Sequence, residues 1–236
     1  MVLFINGWAT NESIWSQFKV HSNVNFYDIS LHSNFLDLES QLSTLYEKYE
    51  QPITVIGWSL GGMLSLELVC RNSSKIKRLI LISSTARFIQ DETYPYGLNK
   101  IIVKNLSRKL SRDYIATQED FYKIMFSAEE KSFQQKFIET DSMKILVNNL
   151  DNLQDNLNYL LKKDLRNILK EIKVPTQIIH GTSDAICPVE SGEYLHKHLA
   201  NSEITLLPNC GHIPFFTQPD ICEKILFPQK EEDFKC

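Results

Sequence analysis

Short apolar runs punctuate the chain at residues 2–5, 53–56, 79–82, 176–179 and 204–207, each followed by small or polar residues. They have strand length and lack strict alternation, the pattern of strands covered on both faces. Residues 24–29 make a weaker sixth candidate, because Asn25 and Asp28 interrupt the run and point to a sheet edge. Between 35 and 49 the period changes: Phe35, Leu38, Leu42, Leu45 and Tyr49 fall three or four positions apart and line one helical face. Strands alternating with helices in this way predict an α/β fold, with a mostly parallel sheet of about six strands and helices on both faces.

The alternation stops after Ser84 and resumes at Thr176, and the roughly ninety residues between are too many for a loop. Their apolar positions keep a helical period at 101–110, 121–125, 133–138 and 145–161. These helices are expected to form a lid over the carboxyl ends of the strands. The expected division is therefore a core of 1–86 and 170–236 with a helical lid inserted at 87–169. No repeat or low-complexity tract interrupts it, and the charged stretch 230–236 is expected to fray.

Composition narrows the picture. At 236 residues and 43% hydrophobic content, the chain can bury one substantial core. A formal charge of −4 gives no overall basic surface for nucleic acid. The cysteines, Cys70, Cys187, Cys210, Cys222 and Cys236, are odd in number and lack CxxC or zinc-site spacing, so reduced thiols in a cytoplasmic protein and no metal are expected. The run Met1-Val2-Leu3-Phe4-Ile5-Asn6-Gly7 has no basic leader and is too short for a secretion signal or a membrane span; a buried first strand and no membrane association are expected.

Candidate chemistry begins after the run at 53–56, where Gly57-Trp58-Ser59-Leu60-Gly61-Gly62 precedes a helix-compatible stretch. This is G-x-S-x-G in a strand–turn–helix setting, where small neighbours allow a tight turn that raises the serine oxygen above the sheet. A glycine-rich turn with no chemistry has the same local composition. Serine needs a base, and Gly211-His212 supplies one on the loop after the run at 204–207. His21 and His32 precede the nucleophile, His180 ends a strand, and His196 and His198 belong to a surface helix, so they fit less well. Asp184, just past the run at 176–179, stands between serine and histidine in chain order and is the candidate to orient the imidazole. Each of these residues alone reads as a turn or loop position; together they recur in the required order, each beyond a strand. The backbone N–H groups of Leu60 and Trp8 are the candidate oxyanion donors, the second from the loop Asn6-Gly7-Trp8. Trp8, Trp58 and Leu60 are candidates to wall a substrate pocket, with plain core packing the alternative for the two tryptophans.

With these residues in hand, the chain resembles the α/β-hydrolases over nearly its full length. The general likeness rests on Gly7-Trp8, Gly57 to Gly62, Asp164-Leu165-Arg166 before Val174-Pro175, Gly181 to Asp184, and Gly211-His212-Ile213-Pro214-Phe215. Within that superfamily it is similar to the pimeloyl-acyl-carrier-protein methyl ester esterases of biotin synthesis, through Gly-Trp-Ser-Leu-Gly-Gly together with Ser83-Ser84-Thr85-Ala86-Arg87-Phe88, an acidic pair and Tyr94-Pro95. Two departures stand out. Asn6 occupies the place of the family's usual histidine, so the bonds bracing the oxyanion loop are expected to be rearranged or partly lost. The chain also opens at what would be the family's third strand, without the amino-terminal hairpin.

The resemblance implies a carboxylesterase that cleaves a methyl ester from a dicarboxylic acyl chain on the phosphopantetheine arm of an acyl carrier protein. The reaction would pass through an acyl-serine, needing neither metal nor organic cofactor. Acyl carrier proteins are acidic, and Lys100, Lys104, Arg108 and Arg112, with Lys109 alongside, form a basic stretch that no acidic residue interrupts. A spacing of four drifts only about 40° per step, so they share a broad helical face suited to carrier docking. A solvated helix face is the competing explanation. A monomer is expected. Other readings of the same chain are an esterase, thioesterase or carbon–carbon hydrolase for a free substrate, and a catalytically silent ligand- or partner-binding module.

Overall fold

The computed structural model describes residues 1–19, 21, 23–30, 35–139 and 150–228. Six strands pair in parallel throughout: β1 (Val2–Ile5), β2 (Val24–Tyr27), β3 (Ile53–Trp58), β4 (Ile76–Ile82), β5 (Thr176–Gly181) and β6 (Ser202–Leu207). Their spatial order is β2-β1-β3-β4-β5-β6, so the polar-interrupted β2 lies at an edge, as its sequence predicts. β2 ends at Tyr27 rather than 29, because the Asp28 carboxylate turns back to accept the N–H groups of Glu12 and Ser30. All six residues of β3 are buried, and Leu79, Ile80, Leu81 and Ile82 of β4 are fully so. Fully burying one such aliphatic side chain contributes about 1.5–3 kcal/mol.

Parallel neighbours require crossovers, and most of these are helical. Helices α1 (Phe35–Tyr49), α2 (Leu60–Arg71) and α7 (Val189–His198) cover one face of the sheet. On the other face, Trp15 and Phe18 of a 3-10 helix (Glu12–Phe18) pack against Phe215 and Phe227, bringing in α8 (Pro214–Thr217) and α9 (Pro219–Leu226). Between β4 and β5 run α3 (Lys100–Arg112), α4 (Tyr114–Ile124), α5 (Lys131–Ile138) and α6 (Leu150–Lys162). α3 and α5 lie within two residues of the stretches 101–110 and 133–138, and α6 takes up the described part of 145–161, but α4 begins at Tyr114, well before the expected 121–125, because Asp113 caps it there; 145–149, like 230–236 and His32, lies outside the described residues. The connection after β1 runs toward β2 while that after β3 runs toward β4, and the crevice at such a reversal, beyond the carboxyl ends of the strands, is where ligands sit in open α/β sheets. Among the described residues no helix is long and apolar enough to cross a membrane.

Candidate active site

Ser59 sits at that reversal. β3 ends at Trp58 and α2 begins at Leu60, so the turn between them is a single residue, and Ser59 adopts φ 56° and ψ −120° to make it. The turn is tight enough to exclude side chains from its flanks: a Cβ on Gly61 would lie 2.3 Å from the Ile5 carbonyl oxygen, and one on Gly57 would lie 2.5 Å from that of Gly61. The same closeness presses α2 against the end of β1, and a Cβ on Gly7 would lie 3.1 Å from the Ser59 Cβ. The turn is held by the Ser59 N–H donating to the Ile82 carbonyl (2.9 Å) and by the Ser84 hydroxyl donating to the Ser59 carbonyl (2.8 Å).

The Ser59 hydroxyl donates to His212 Nε2 at 2.9 Å, and His212 Nδ1 donates to Asp184 Oδ2 at 2.7 Å. The Asp184 carboxylate can only accept, so it holds the imidazole proton on Nδ1 and leaves Nε2 free to take the serine proton. Its other oxygen accepts the N–H groups of Ile186 (2.8 Å) and Cys187 (2.9 Å), which orient the carboxylate. His212 is fully buried, its carbonyl accepting from the Trp58 indole at 2.8 Å and its N–H donating to the Met125 carbonyl at 2.7 Å. The three residues singled out in the sequence thus meet in one hydrogen-bonded chain. His180, set aside there as a strand end, is also part of the surroundings: its Nε2 donates to the Cys187 carbonyl (2.8 Å) and lies 3.5 Å from Asp184 Oδ2. Burial pushes its pKa down, against the pull of Asp184, so it is neutral beside the carboxylate. An imidazole four residues before the aspartate was the available signal.

Among the described residues no acceptor takes the backbone N–H of Trp8 or of Leu60; the Leu60 amide follows Ser59 directly at the start of α2, and Gly7, which precedes Trp8, comes close to the Ser59 Cβ. Asn6 braces the first of these loops by its own means: its Oδ1 accepts the Ile29 N–H at 3.0 Å, and its Nδ2 donates to the Thr10 carbonyl at 2.5 Å. Helix α4 adds to this bracing, with Tyr122 Oη (2.6 Å) and Gln118 Nε2 (3.2 Å) both donating to the Ala9 carbonyl.

A cavity of about 370 Å³ opens between α3 and α4, lined by Phe88, Leu98, Ile102, Leu106, Phe121 and Ile186, with Lys109 and Asp120 as its charged members. Trp8, Trp58 and Leu60 are not among its lining residues, and neither are Ser59 and His212. Trp8 stands one layer behind, its ring edge-on to Phe121 at 4.7 Å and its indole N–H donating to the Leu153 carbonyl. Trp58 lies in the core among Trp15, Phe215 and His212, and Leu60 is buried in the first turn of α2. Ile186 connects the cavity to the triad, since its N–H is one of the two that orient Asp184. Lys100, Lys104, Arg108, Lys109 and Arg112 are all exposed on α3, Lys109 turned toward the cavity. Among the described residues no cluster of His, Cys, Asp and Glu could hold a metal ion.

A parallel sheet with a serine, histidine and aspartate joined beyond its strand ends defines a hydrolase-type site, and the chain belongs to the α/β-hydrolase-fold family, whose profile it matches over residues 47–219. Among named proteins it is similar to the pimeloyl-[acyl-carrier protein] methyl ester esterase of Wigglesworthia glossinidia brevipalpis, 30% identical over 95% of this chain and 91% of that one. It is also similar to the esterase of that name from Nitrosospira multiformis, 25% identical over 93% of this chain and 90% of that one. A solved esterase from Exiguobacterium antarcticum shares the fold, with a TM-score of 0.80 and 23% identity over 95% of this chain and 89% of that one.

Proposed function

We propose that the protein is a serine carboxylesterase that hydrolyses the methyl ester of a pimeloyl chain carried on an acyl carrier protein, in the cytoplasm. The hydrogen-bonded chain Ser59–His212–Asp184 carries the chemistry, and likeness to the named esterases along more than nine-tenths of the chain carries the substrate. His212 removes the Ser59 proton as the serine oxygen attacks the ester carbonyl. Asp184 stabilises the imidazolium, and the N–H groups of Leu60 and Trp8 receive the developing oxyanion. The protonated His212 then gives its proton to the departing methoxide, releasing methanol and leaving an acyl-Ser59. Water activated by His212 frees the acid and restores the serine. Residues 87–169 act as the lid, with Phe88, Leu98 and Phe121 offering an apolar path to the acyl chain. The basic face of α3 receives the acidic carrier. Four described cysteines are unpaired, in keeping with a reducing compartment.

The test is hydrolysis of pimeloyl-carrier methyl ester by purified protein, with Ser59→Ala and a free short-chain ester as controls. Cleavage of the carrier-bound ester is expected, with turnover reduced on the order of 10⁶-fold in Ser59→Ala. Cleavage of the free ester alone would retain the serine mechanism and discard the carrier-bound substrate. Activity that survives Ser59→Ala would discard the mechanism itself.

A further inference from the structure

The loop that presents His212 is held from one side by the sheet and from the other by the segment joining α4 to α5. The His212 N–H donates to the Met125 carbonyl at 2.7 Å, and the Ser127 hydroxyl donates to the Asn209 carbonyl at 2.6 Å. The Gly211 N–H donates to Glu130 Oε2 at 2.9 Å, and the same oxygen accepts the Ser127 N–H at 2.9 Å. One carboxylate oxygen thereby ties its own turn to the residue before His212. The fit leaves no room at position 211: a Cβ there would lie 2.5 Å from the Met125 carbonyl oxygen and 2.9 Å from Glu130 Oε2.

Glu130 is 6% exposed, and its Oε1 has no well-formed hydrogen bond among the described residues, although the carboxylate faces the Cys210 thiol, whose pKa is pushed up by burial and then by this charge. The bond to the Ser127 N–H belongs to the capping box of its own 3-10 turn, and a half-satisfied buried carboxylate is a costly way to close so short a turn. What distinguishes the position is the Gly211 N–H, a donor that would otherwise be buried and unpaired beside the catalytic base. We propose that Glu130 is a positioning residue: it fixes the Gly211–His212 peptide so that Nε2 meets the Ser59 hydroxyl, and so couples the placement of the inserted helices to the competence of the base. The proposal rests on the Ser59–His212–Asp184 mechanism above and is independent of the acyl carrier.

The experiment compares wild type, Glu130→Ala, Glu130→Gln and Glu130→Asp on a p-nitrophenyl butyrate substrate, with active sites counted by fluorophosphonate labelling. Glu130→Ala is expected to lower kcat per labelled site roughly 10- to 100-fold, as a misplaced base does, with KM changed less than about twofold. Glu130→Gln keeps an oxygen able to accept both N–H groups and is expected to recover kcat to within about threefold of wild type. A Glu130→Ala protein with wild-type kcat per site, even at a lowered Tm, would make Glu130 a stabilising residue only and overturn the proposal. If Glu130→Ala does not fold, Glu130→Asp, whose shorter arm withdraws the carboxylate from Gly211, decides in the same way: reduced kcat at unchanged KM supports positioning and unchanged kcat overturns it. Ser59→Ala separates the two readings, because hydrolysis that persists in it removes the mechanism on which the positioning depends. Ser59-dependent hydrolysis unaffected at Glu130 removes the positioning alone.

Discussion

Ser59 holds a backbone conformation that residues with a Cβ adopt only when their surroundings compel it, and conformations of this kind cost about 1–3 kcal/mol. The compulsion is visible in the glycines on either side, whose hydrogens face carbonyl oxygens too close for any side chain. Relief of the strain should therefore stabilise the fold. Ser59→Gly is expected to unfold at higher denaturant concentration than Ser59→Ala, by about 1 kcal/mol, because alanine keeps the steric penalty at φ 56° and glycine does not. Both variants should be inactive, and equal stabilities would show the turn to be unstrained. Ser59 was legible in the sequence because a tight turn leaves a compositional trace, glycine on both flanks. Asp184 and His212 were legible through their places after strands. Trp58 was not: nothing local to Gly57-Trp58-Ser59 reveals that its indole N–H serves the His212 carbonyl 154 positions away.

Among the elements, α3 joins two properties that helical periodicity alone could display. Val103 and Leu110 face inward, while Lys100, Lys104, Arg108 and Arg112 are exposed on the other side, with no carboxylate in the helix to neutralise them. If that face receives an acidic carrier, the effect must be electrostatic, graded and sensitive to salt. The double reversal Lys104→Glu with Arg108→Glu is expected to raise KM for the carrier-bound ester roughly tenfold at low salt. The increase should shrink as ionic strength rises, and kcat/KM for a free short-chain ester should stay within about twofold of wild type. An unchanged KM for the carrier-bound ester would return this face to the role of a solvated surface. The boundaries of α3 differ from the sequence reading by two residues or fewer, because Asn99 and Asp113 are polar residues whose capping roles appear only with the helix ends. The segment 125–130 carried a fainter signal, the Ser127-Ala128-Glu129-Glu130 pattern of a capped turn. That pattern describes the turn and says nothing of the Gly211 N–H, a contact between positions 81 apart.

Seen as a whole molecule, the inserted helices hang from two chain segments that lie side by side. Leu165 N–H donates to the Ala86 carbonyl, and Arg87 pairs with Asp164 (2.7 Å) and Asp91 (2.5 Å) while Arg166 pairs with the same two carboxylates at 2.7 and 3.4 Å. The clasp closes the insertion at its base, where the sequence showed only an Asp-Leu-Arg step and a lone arginine far apart. The hydrogen bond from Arg166 holds the Asp164 carboxyl below its ordinary value, and the bond from Thr93, with Arg87 and Arg166 behind it, does the same for Asp91. A carboxylate whose pKa is lower in the folded than in the unfolded chain stabilises the fold fully above the unfolded value, near 3.9 for aspartate, and ceases to do so as the pH falls through the folded value. The clasp should thus be intact at neutral pH and fail in acid. Asp164→Asn is expected to lower Tm at pH 6 by the small amount that a partly exposed ion pair contributes, about 1 kcal/mol or less. The gap between variant and wild type should begin to close as the pH falls below about 4, where the unfolded aspartate takes up its proton, and should vanish only below the lower folded value, where the native carboxylate is protonated too. Thermal unfolding of the two proteins across that range checks the sign directly, since a gap that widens in acid would mean that Asp164 is not held in its charged form by the arginines.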